Sequence, residues 1–218
     1  MMTRSLLSRM VMATIVAGLA SNVLAGPVKG KQKEGQAGSA ADVLCPVMGE
    51  AVNFLMSSPT PDGPVYVCCA GCIKKIKAKP AKYASQVADQ RKALAKLSKI
   101  QVTCPVSGEG TDPKQFVEHN GEKVYFCCGN CVKKFKASPD RYQKALANSY
   151  TYQTICPVMD EEIDPNVFME TKAGKVYFCC KMCDDKLVSD PEKYVPNLKA
   201  QGIDLAAADL KTDKRGGS

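Results

Sequence analysis

The twelve cysteines fall into three sets of four that share one spacing. In each set the first cysteine precedes an adjacent cysteine pair by 23 positions, and a fourth cysteine ends the pattern Cys-Cys-x-x-Cys. Self-similarity within a chain indicates a repeated structural unit. The sequence therefore predicts three copies of one module, whose cysteines are Cys45, Cys68, Cys69 and Cys72; Cys104, Cys127, Cys128 and Cys131; and Cys156, Cys179, Cys180 and Cys183.

The residues around the cysteines repeat as well. Cys-Pro-Val opens every copy, Val-Tyr leads into every cysteine pair, and a proline and then a tyrosine follow the fourth cysteine at fixed distances. In the second copy, Asn120-Gly121 lies between two strand-like segments and supplies the positive φ angles of a tight turn. Each unit is therefore predicted to contain a β-hairpin.

Two helices are predicted to follow the hairpin of a unit. The first is short, and its equivalent inward-facing apolar residue is Ile76, Phe135 or Leu187. The second is expected to begin at Pro139 or Pro191, because proline suits the first helical turn. Ser138 and Asp190 precede these prolines and are predicted to act as N-caps.

The segments between the units differ in composition. Residues 84–100 are rich in Ala, Lys, Leu and Gln at helix-compatible spacing, which predicts a helical spacer that leaves the first unit somewhat independent. Residues 26–41 and the end from Lys211 are expected to be disordered. The predicted division is a signal peptide (1–25), a disordered linker (26–41), unit 1 (42–83), the helical spacer (84–102), unit 2 (103–142), a linker (143–154), unit 3 (155–194) and a C-terminal tail (195–218).

The N-terminal 25 residues have the pattern of a secretory signal. Arg4 and Arg9 precede an apolar run, and Val23-Leu24-Ala25 provides small residues at the expected cleavage point. The alternative is an uncleaved anchor, but the run is shorter than the roughly 20 residues that span a bilayer. The mature chain is therefore predicted to be periplasmic or secreted, without stable membrane insertion.

Each unit of about 40 residues is too small for a hydrophobic core alone to hold it reliably, so cross-links are expected. Adjacent cysteines suit a disulfide poorly, because their α-carbons lie about 3.8 Å apart and ordinary disulfides need about 4.4 to 6.8 Å. Cysteines at a helix start, with Lys74 or Lys133 nearby, are expected to have a lowered pKa. Thiolates bind metals, so up to one metal ion per unit is predicted.

The available donors restrict the metal. His119 is the only histidine and lies beside the predicted hairpin turn, where it is expected to face solvent. All twelve cysteines are candidate ligands, with the first, second and fourth of each set as the main ones and the third assisting. Soft sulfur donors favour Zn(II) or Cu(I) over Mg, Ca or Mn. The residue three positions after the first cysteine is a further candidate donor that differs among the units, being Met48, Ser107 or Met159.

Other functions remain open or are disfavoured. The Cys-x-x-Cys motifs also fit a thiol-disulfide redox protein, and an exported chain also fits a disulfide-stapled or structural-zinc interaction scaffold. Haem attachment is excluded because no histidine follows any Cys-x-x-Cys motif. The lysine runs near Lys74 and Lys133 fit a solvated helix face better than a nucleic-acid site, since unit 3 has Asp184 and Asp185 there. No catalytic constellation is present, and the chain is not expected to be an enzyme.

The spacing Cys45…Cys68-x-x-x-Cys72 and its two counterparts, with the Pro-x-Lys/Arg-Tyr element that follows, resembles the heavy-metal-binding TRASH domain and its relative, the YHS domain. The resemblance covers about 120 residues and occurs in all three units. It implies a small α+β fold of three tandem treble-clef-like units, each a β-hairpin plus helix, joined by helical linkers. It also implies a role in sequestering, trafficking or resisting metals, for which the expected partner is a metal transporter or efflux component.

Overall fold

The computed structural model describes residues 38–210. The predicted signal peptide, residues 26–37 and residues 211–218 lie outside the described residues. The prediction of a disordered linker over 26–41 is wrong at its end, because a 3-10 turn over Ala40–Asp42 is capped by the Ser39 side chain. The elements run in the order β1 (Asn53–Ser58), β2 (Val65–Val67), α1 (Ala70–Ala78), α2 (Ala84–Leu94), β3 (Ile100–Gln101), β4 (Asp112–His119), β5 (Glu122–Phe126), α3 (Gly129–Ala137), α4 (Gln143–Ala147), β6 (Tyr150–Thr151), β7 (Asp164–Glu170), β8 (Lys175–Phe178), α5 (Met182–Ser189), α6 (Pro191–Ala200) and α7 (Ala207–Leu210).

Each cysteine unit contains an antiparallel hairpin, β1–β2, β4–β5 or β7–β8, so the mixed α+β architecture is confirmed. In the second hairpin Asn120 and Gly121 have φ angles of 52° and 81°, which confirms the predicted turn. All three hairpins share one register irregularity near the start of the first strand. There an Asn or Asp Oδ1 accepts the amide of the residue two positions on, at 3.0, 2.9 and 2.9 Å for Asn53, Asp112 and Asp164.

A short helix follows each hairpin and packs its predicted apolar residue inward. Ile76, Phe135 and Leu187 are 5%, 1% and 0% exposed, which confirms this part of the prediction. The following proline begins a 3-10 turn in units 1 and 2 (Pro80–Tyr83 and Pro139–Tyr142) and begins α6 in unit 3.

The predicted capping at these prolines is wrong. Ser138 and Asp190 occupy the N-cap positions, but neither side chain makes a capping hydrogen bond. Their ψ angles of 70° and 69° lie outside the β region in which an N-cap side chain normally reaches the free amides of the first turn.

The spacer is helical only as far as Leu94, where α2 ends, so the prediction of a helix across 84–102 is wrong at its C-terminal part. Instead, β3 pairs antiparallel with β6, which lies in the predicted linker 143–154. The chain just before unit 2 therefore joins the chain just before unit 3 in a two-stranded sheet. Residues 100 and 101 therefore make strand hydrogen bonds with residues 150 and 151 instead of helical ones.

Units 1 and 3 share one hydrophobic core, which corrects the expectation that the spacer leaves unit 1 independent. Val67 and Ile76 of unit 1 belong to the same buried cluster as Phe178 and Leu187 of unit 3. Unit 2 has a separate cluster, composed of Cys104, Val124, Phe126, Cys131 and Phe135. The Tyr152 ring, which precedes unit 3, stacks on Phe54 of unit 1 with centroids 5.3 Å apart.

The predicted tail is folded as far as residue 210. Leu198, Ile203, Leu205 and Leu210 are each at most 3% exposed. The Phe54 amide donates to the Gly202 carbonyl at 2.9 Å, which ties the segment to β1. Gly202 has φ 75°, and a Cβ there would lie 2.7 Å from the Phe54 ring, so the contact requires glycine. Among the described residues, no helix is long and apolar enough to cross a bilayer.

Candidate metal centres

The first, second and fourth cysteines of each unit converge. In each group the three Sγ atoms lie within 4.8 Å of one another, and the groups are Cys45, Cys68 and Cys72; Cys104, Cys127 and Cys131; and Cys156, Cys179 and Cys183. The first and fourth cysteines are buried, the second is half-buried, and all twelve are free. Three cysteine clusters are thus positioned to bind a metal ion.

The first cysteine of each unit is held in a tight turn. Its amide donates to the carbonyl of the glutamate five residues on, at 2.7 Å in all three units. The residue four positions on has positive φ, 73° at Gly49, 81° at Gly108 and 58° at Asp160, and its amide returns a hydrogen bond to the cysteine carbonyl. This turn explains why glycine or aspartate follows each Cys-Pro-Val segment.

The other ligands come from the junction between the hairpin and its helix. The second cysteine directly follows the second strand, and the fourth lies in the first turn of the helix. The Sγ atoms of the second and fourth cysteines are 3.8, 3.5 and 3.8 Å apart in units 1 to 3. Such distances exceed the roughly 2.05 Å of a disulfide bond and leave the sulfurs free to point at a common ion.

A buried glutamine positions both segments in every unit, and sequence reasoning missed it. The side chains of Gln90, Gln101 and Gln153 are 3%, 6% and 1% exposed. In unit 3, Gln153 Nε2 donates to the carbonyls of Ile155 and Tyr177 at 3.4 and 2.7 Å, and its Oε1 accepts the Tyr177 amide at 2.8 Å. Gln101 makes the equivalent contacts with Thr103 and Tyr125.

These contacts link the two ligand-bearing segments. Ile155 directly precedes the first cysteine of unit 3, and Tyr177 lies two residues before the second cysteine. The Gln153 carboxamide therefore forms hydrogen bonds with the second strand of the hairpin, at Tyr177, and with the residue that precedes the turn of the first cysteine, Ile155. In units 2 and 3 the signal was present in the sequence, since a glutamine stands three residues before the first cysteine.

Unit 1 obtains its glutamine from elsewhere. Asp42 occupies the position three residues before Cys45, and the buried carboxamide comes instead from Gln90 on α2. Gln90 Nε2 donates to the carbonyls of Leu44 and Tyr66 at 2.8 Å each, and its Oε1 accepts the Tyr66 amide at 3.0 Å. The helical spacer is thus part of the support of the first site, and no local pattern in the sequence indicates it.

The thiols of a group differ in acidity. Burial opposes ionisation of Cys104, but hydrogen bonds from the Ser107 hydroxyl and from backbone amides lower its pKa to about 7. The pKa values of Cys45 and Cys156 are also lowered, because amide hydrogen bonds outweigh burial. Burial, followed by hydrogen bonds from neighbouring cysteines, raises the pKa of Cys131 to about 12.

The predicted lowering of pKa at the helix start holds only for the third cysteine. Backbone hydrogen bonds at the helix start lower the pKa of Cys69 and Cys128, and a hydrogen bond with Cys183 lowers that of Cys180. For the fourth cysteine the prediction is wrong, since burial raises its pKa in every unit.

The remaining candidate donors lie outside the three cysteine groups. Met48 and Met159 are 55% and 47% exposed, and Lys186 Nζ lies 4.0 Å from the Met159 sulfur. Ser107 Oγ lies 3.3 Å from Cys127 Sγ, so unit 2 has a hydroxyl where the others have a thioether. His119 is half-buried rather than facing solvent, because its ring packs edge-on against Phe135 with centroids 5.2 Å apart. It belongs to none of the three cysteine groups.

Comparisons with known proteins give no match: no family model fits the chain, and neither the curated proteins nor the solved structures contain a significant relative. The site geometry is therefore the main support for a function.

Proposed function

We propose that this protein is an exported carrier of a thiophilic metal ion, Cu(I) or Zn(II), which it sequesters or passes on in metal trafficking or resistance. The observation that carries the proposal is the convergence of three cysteine Sγ atoms within 4.8 Å in each of three units. A single cluster could be a packing accident, but the same three ligand positions recur each time. Up to three ions per chain follow from this arrangement.

The donor set fits soft ions. Thiolate ligands select Cu(I) and Zn(II), and neither hard-ion carboxylate ligands nor histidine belong to the three groups. A closed structural zinc shell almost always has four ligands, so three cysteines leave room for one more donor. The third cysteine is close enough to assist at this open position, since its Sγ lies 3.2 to 3.7 Å from a member of the group.

The sequence supports the biological context. The signal-like segment 1–25 favours export, and the resemblance of the units to TRASH and YHS domains favours handling of heavy metals rather than catalysis. In this proposal the units are treble-clef-like modules, and the receiving partner is a transporter or efflux component.

The test is the metal and free-thiol content of the mature protein purified from its exported compartment. Elemental analysis is combined with thiol counting in denaturant and chelator. About three equivalents of copper or zinc, with nearly all thiols reactive, support the proposal and identify the ion. A protein without metal and without free thiols would contradict it.

A thiol-disulfide redox function is the second candidate, favoured by the short Sγ separations within the Cys-x-x-Cys motifs. These are 3.6 Å for Cys69 and Cys72 and 3.2 Å for Cys180 and Cys183. A redox protein would contain paired cysteines that reform after reduction, and it would retain no metal. The same thiol count, repeated after reduction and reoxidation, therefore separates the two functions.

A further inference from the structure

The thiols of a unit differ in accessibility, most clearly in units 1 and 2. The first and fourth cysteines are at most 6% exposed. The third cysteine lies on the outside: Cys69 and Cys128 are exposed and Cys180 is half-exposed. Each cluster thus has two buried sulfurs, from the first and fourth cysteines, and the third cysteine lies at its accessible side together with the half-buried second one.

The outer thiol is also close to the buried ones. Cys69 Sγ lies 3.6 Å from Cys72 Sγ, Cys128 Sγ lies 3.7 Å from Cys127 Sγ, and Cys180 Sγ lies 3.2 Å from Cys183 Sγ. Two sulfurs that bind one ion at about 2.3 Å each lie less than about 4.6 Å apart, so these separations allow the third thiol and its neighbour to bind the same ion. The third cysteine can therefore reach an ion held by the group without rearrangement of the hairpin or helix.

The backbone at the third cysteine supports this freedom. Cys69 and Cys128 are the N-cap residues of α1 and α3, with extended φ and ψ angles of −157° and 161°, and −162° and 165°. They precede the first helical turn, whereas the fourth cysteine is fixed within it. Neither N-cap thiol makes a capping hydrogen bond, although backbone hydrogen bonds of the first helical turn lower the pKa of Cys69 and Cys128. In unit 3 the N-cap is Lys181, and the third cysteine precedes it.

We infer that Cys69, Cys128 and Cys180 are exchange ligands, through which a metal ion passes from the buried cysteines to the thiolate of an acceptor molecule. The inference rests on the proposed metal-carrying function. It separates the cysteines of a unit by role: the first, second and fourth hold the ion, and the third sets the rate at which it leaves.

The transfer is a series of ligand substitutions without change in oxidation state. The thiolate of the third cysteine bonds to the ion as the bond to one buried cysteine breaks, and the released thiolate takes up a proton. An acceptor thiolate then bonds to the ion at the exposed side, and the bond to the third cysteine breaks. The bonds to the remaining two cysteines of the group break in the same way as further acceptor thiolates bond to the ion, and each released cysteine takes up a proton. Each bond broken is matched by a bond formed, and the proton lost by an incoming thiol balances the proton gained by a leaving one.

The test compares transfer rates with equilibrium binding. The full mature chain is loaded with Cu(I), and its release to glutathione is followed by stopped-flow spectroscopy. The test variant carries Cys69→Ser, Cys128→Ser and Cys180→Ser, and the matched control carries Cys72→Ser, Cys131→Ser and Cys183→Ser. Circular dichroism of both metal-free variants checks that they fold.

The expected result separates rate from affinity. The test variant should still bind three ions. With glutathione at about 0.1 mM its release should be slowed about tenfold or more, because an intramolecular thiol acts at an effective concentration of about millimolar. The control variant should lose tight binding. Restoring Cys128 alone should return fast release to one of the three ions, which assigns the rate to the individual unit.

Two results would overturn the inference. Unchanged release rates in a variant that binds normally would mean that the third cysteine has no part in exchange. A loss of binding as large as in the control would mean that it is a permanent ligand. Absence of Cu(I) and Zn(II) binding by the unmodified chain would instead refute the proposed function itself, so the two failures are distinguishable.

Discussion

The buried Gln90 side chain gives the most specific prediction. It lies on α2, yet it supports a site whose first cysteine lies 45 positions earlier in the chain. Replacing Gln90 by Leu keeps a similar volume but removes three hydrogen bonds of 2.8, 2.8 and 3.0 Å. The carbonyls of Leu44 and Tyr66 and the Tyr66 amide lose these partners.

The magnitude follows from the number of groups affected. A buried backbone group left without a partner costs about 1 to 3 kcal/mol, and partial access to water and the added apolar side chain offset some of this. A net loss of about 3 kcal/mol in the free energy of unfolding is therefore expected. For a domain of this size it corresponds to a fall of about 6 to 12 °C in Tm.

The same change should weaken one metal site selectively. Gln90 links the residue before Cys45 to the strand that leads into Cys68. Without this link the distance between the two cysteine ligands is less well fixed. Loss of a supporting hydrogen bond typically lowers metal affinity about 10- to 100-fold. One of the three ions should therefore become weakly bound in competition with a chelator, while the other two remain tight.

Gln86→Leu is the matched control, since Gln86 lies one turn earlier on the same helix and is exposed. It should change the free energy of unfolding by less than about 0.5 kcal/mol and leave all three sites intact. Thermal unfolding of the metal-free chain and chelator titration of the loaded chain measure both effects. If Gln90→Leu behaves like Gln86→Leu, or if all three sites weaken equally, the reasoning is refuted.

Four further predictions concern unit 2 and the contact of Gly202 with β1. Cys104 has a pKa of about 7 and Cys131 one of about 12, so protons held in the metal-free state must leave on binding. The metal affinity of unit 2 should rise with pH, more steeply below about pH 7 than above it, as chelator competition from pH 5.5 to 8.5 would show. Ser107→Met should raise the Cys104 pKa and move this change of slope to higher pH; an unchanged slope would contradict the role of the hydroxyl. Gly202→Ala should destabilise the chain by about 1 to 3 kcal/mol in denaturant unfolding, because its φ is positive and its Cβ would meet Phe54; a neutral result would mean that the segment moves freely. Phe135→Ala should cost about 3 to 5 kcal/mol and abolish only the unit 2 site, since that core is separate; equal loss at all three sites would contradict the separation.

The sites were more predictable from the sequence than the arrangement of the units. Cysteine spacing, the Asn120-Gly121 turn and the inward residues such as Phe135 are local patterns, and each acts within one unit. The contacts that join units depend on residues far apart in the chain. Neither the stacking of Tyr152 on Phe54 nor the burial of Leu210 leaves a periodic pattern at a fixed spacing.

The failed predictions have physical causes of the same kind. Helix propensity favours a continuous spacer through residue 100, but pairing of β3 with β6 satisfies backbone groups that a helix would otherwise pair. Ser138 and Asp190 are residue types that favour N-caps, but each is also the C-cap of the preceding helix, with a ψ angle of 70° or 69°, and neither makes a capping hydrogen bond. In both cases long-range or neighbouring structure overrides a local preference.

The three buried glutamines, Gln90, Gln101 and Gln153, show that a repeated site can keep its geometry although the supporting residue stands at a different place in the sequence. A cluster of three thiols needs two short segments held at a fixed separation, and a carboxamide does this with one acceptor and two donor hydrogens. The geometry constrains the position of the carboxamide and not the position of the glutamine in the chain. Hence Gln101 and Gln153 approach from just before the first cysteine, whereas Gln90 reaches the same place from α2. The consequence is that residues 42–83 alone lack a component of the first site, and the smallest segment able to hold it extends through α2.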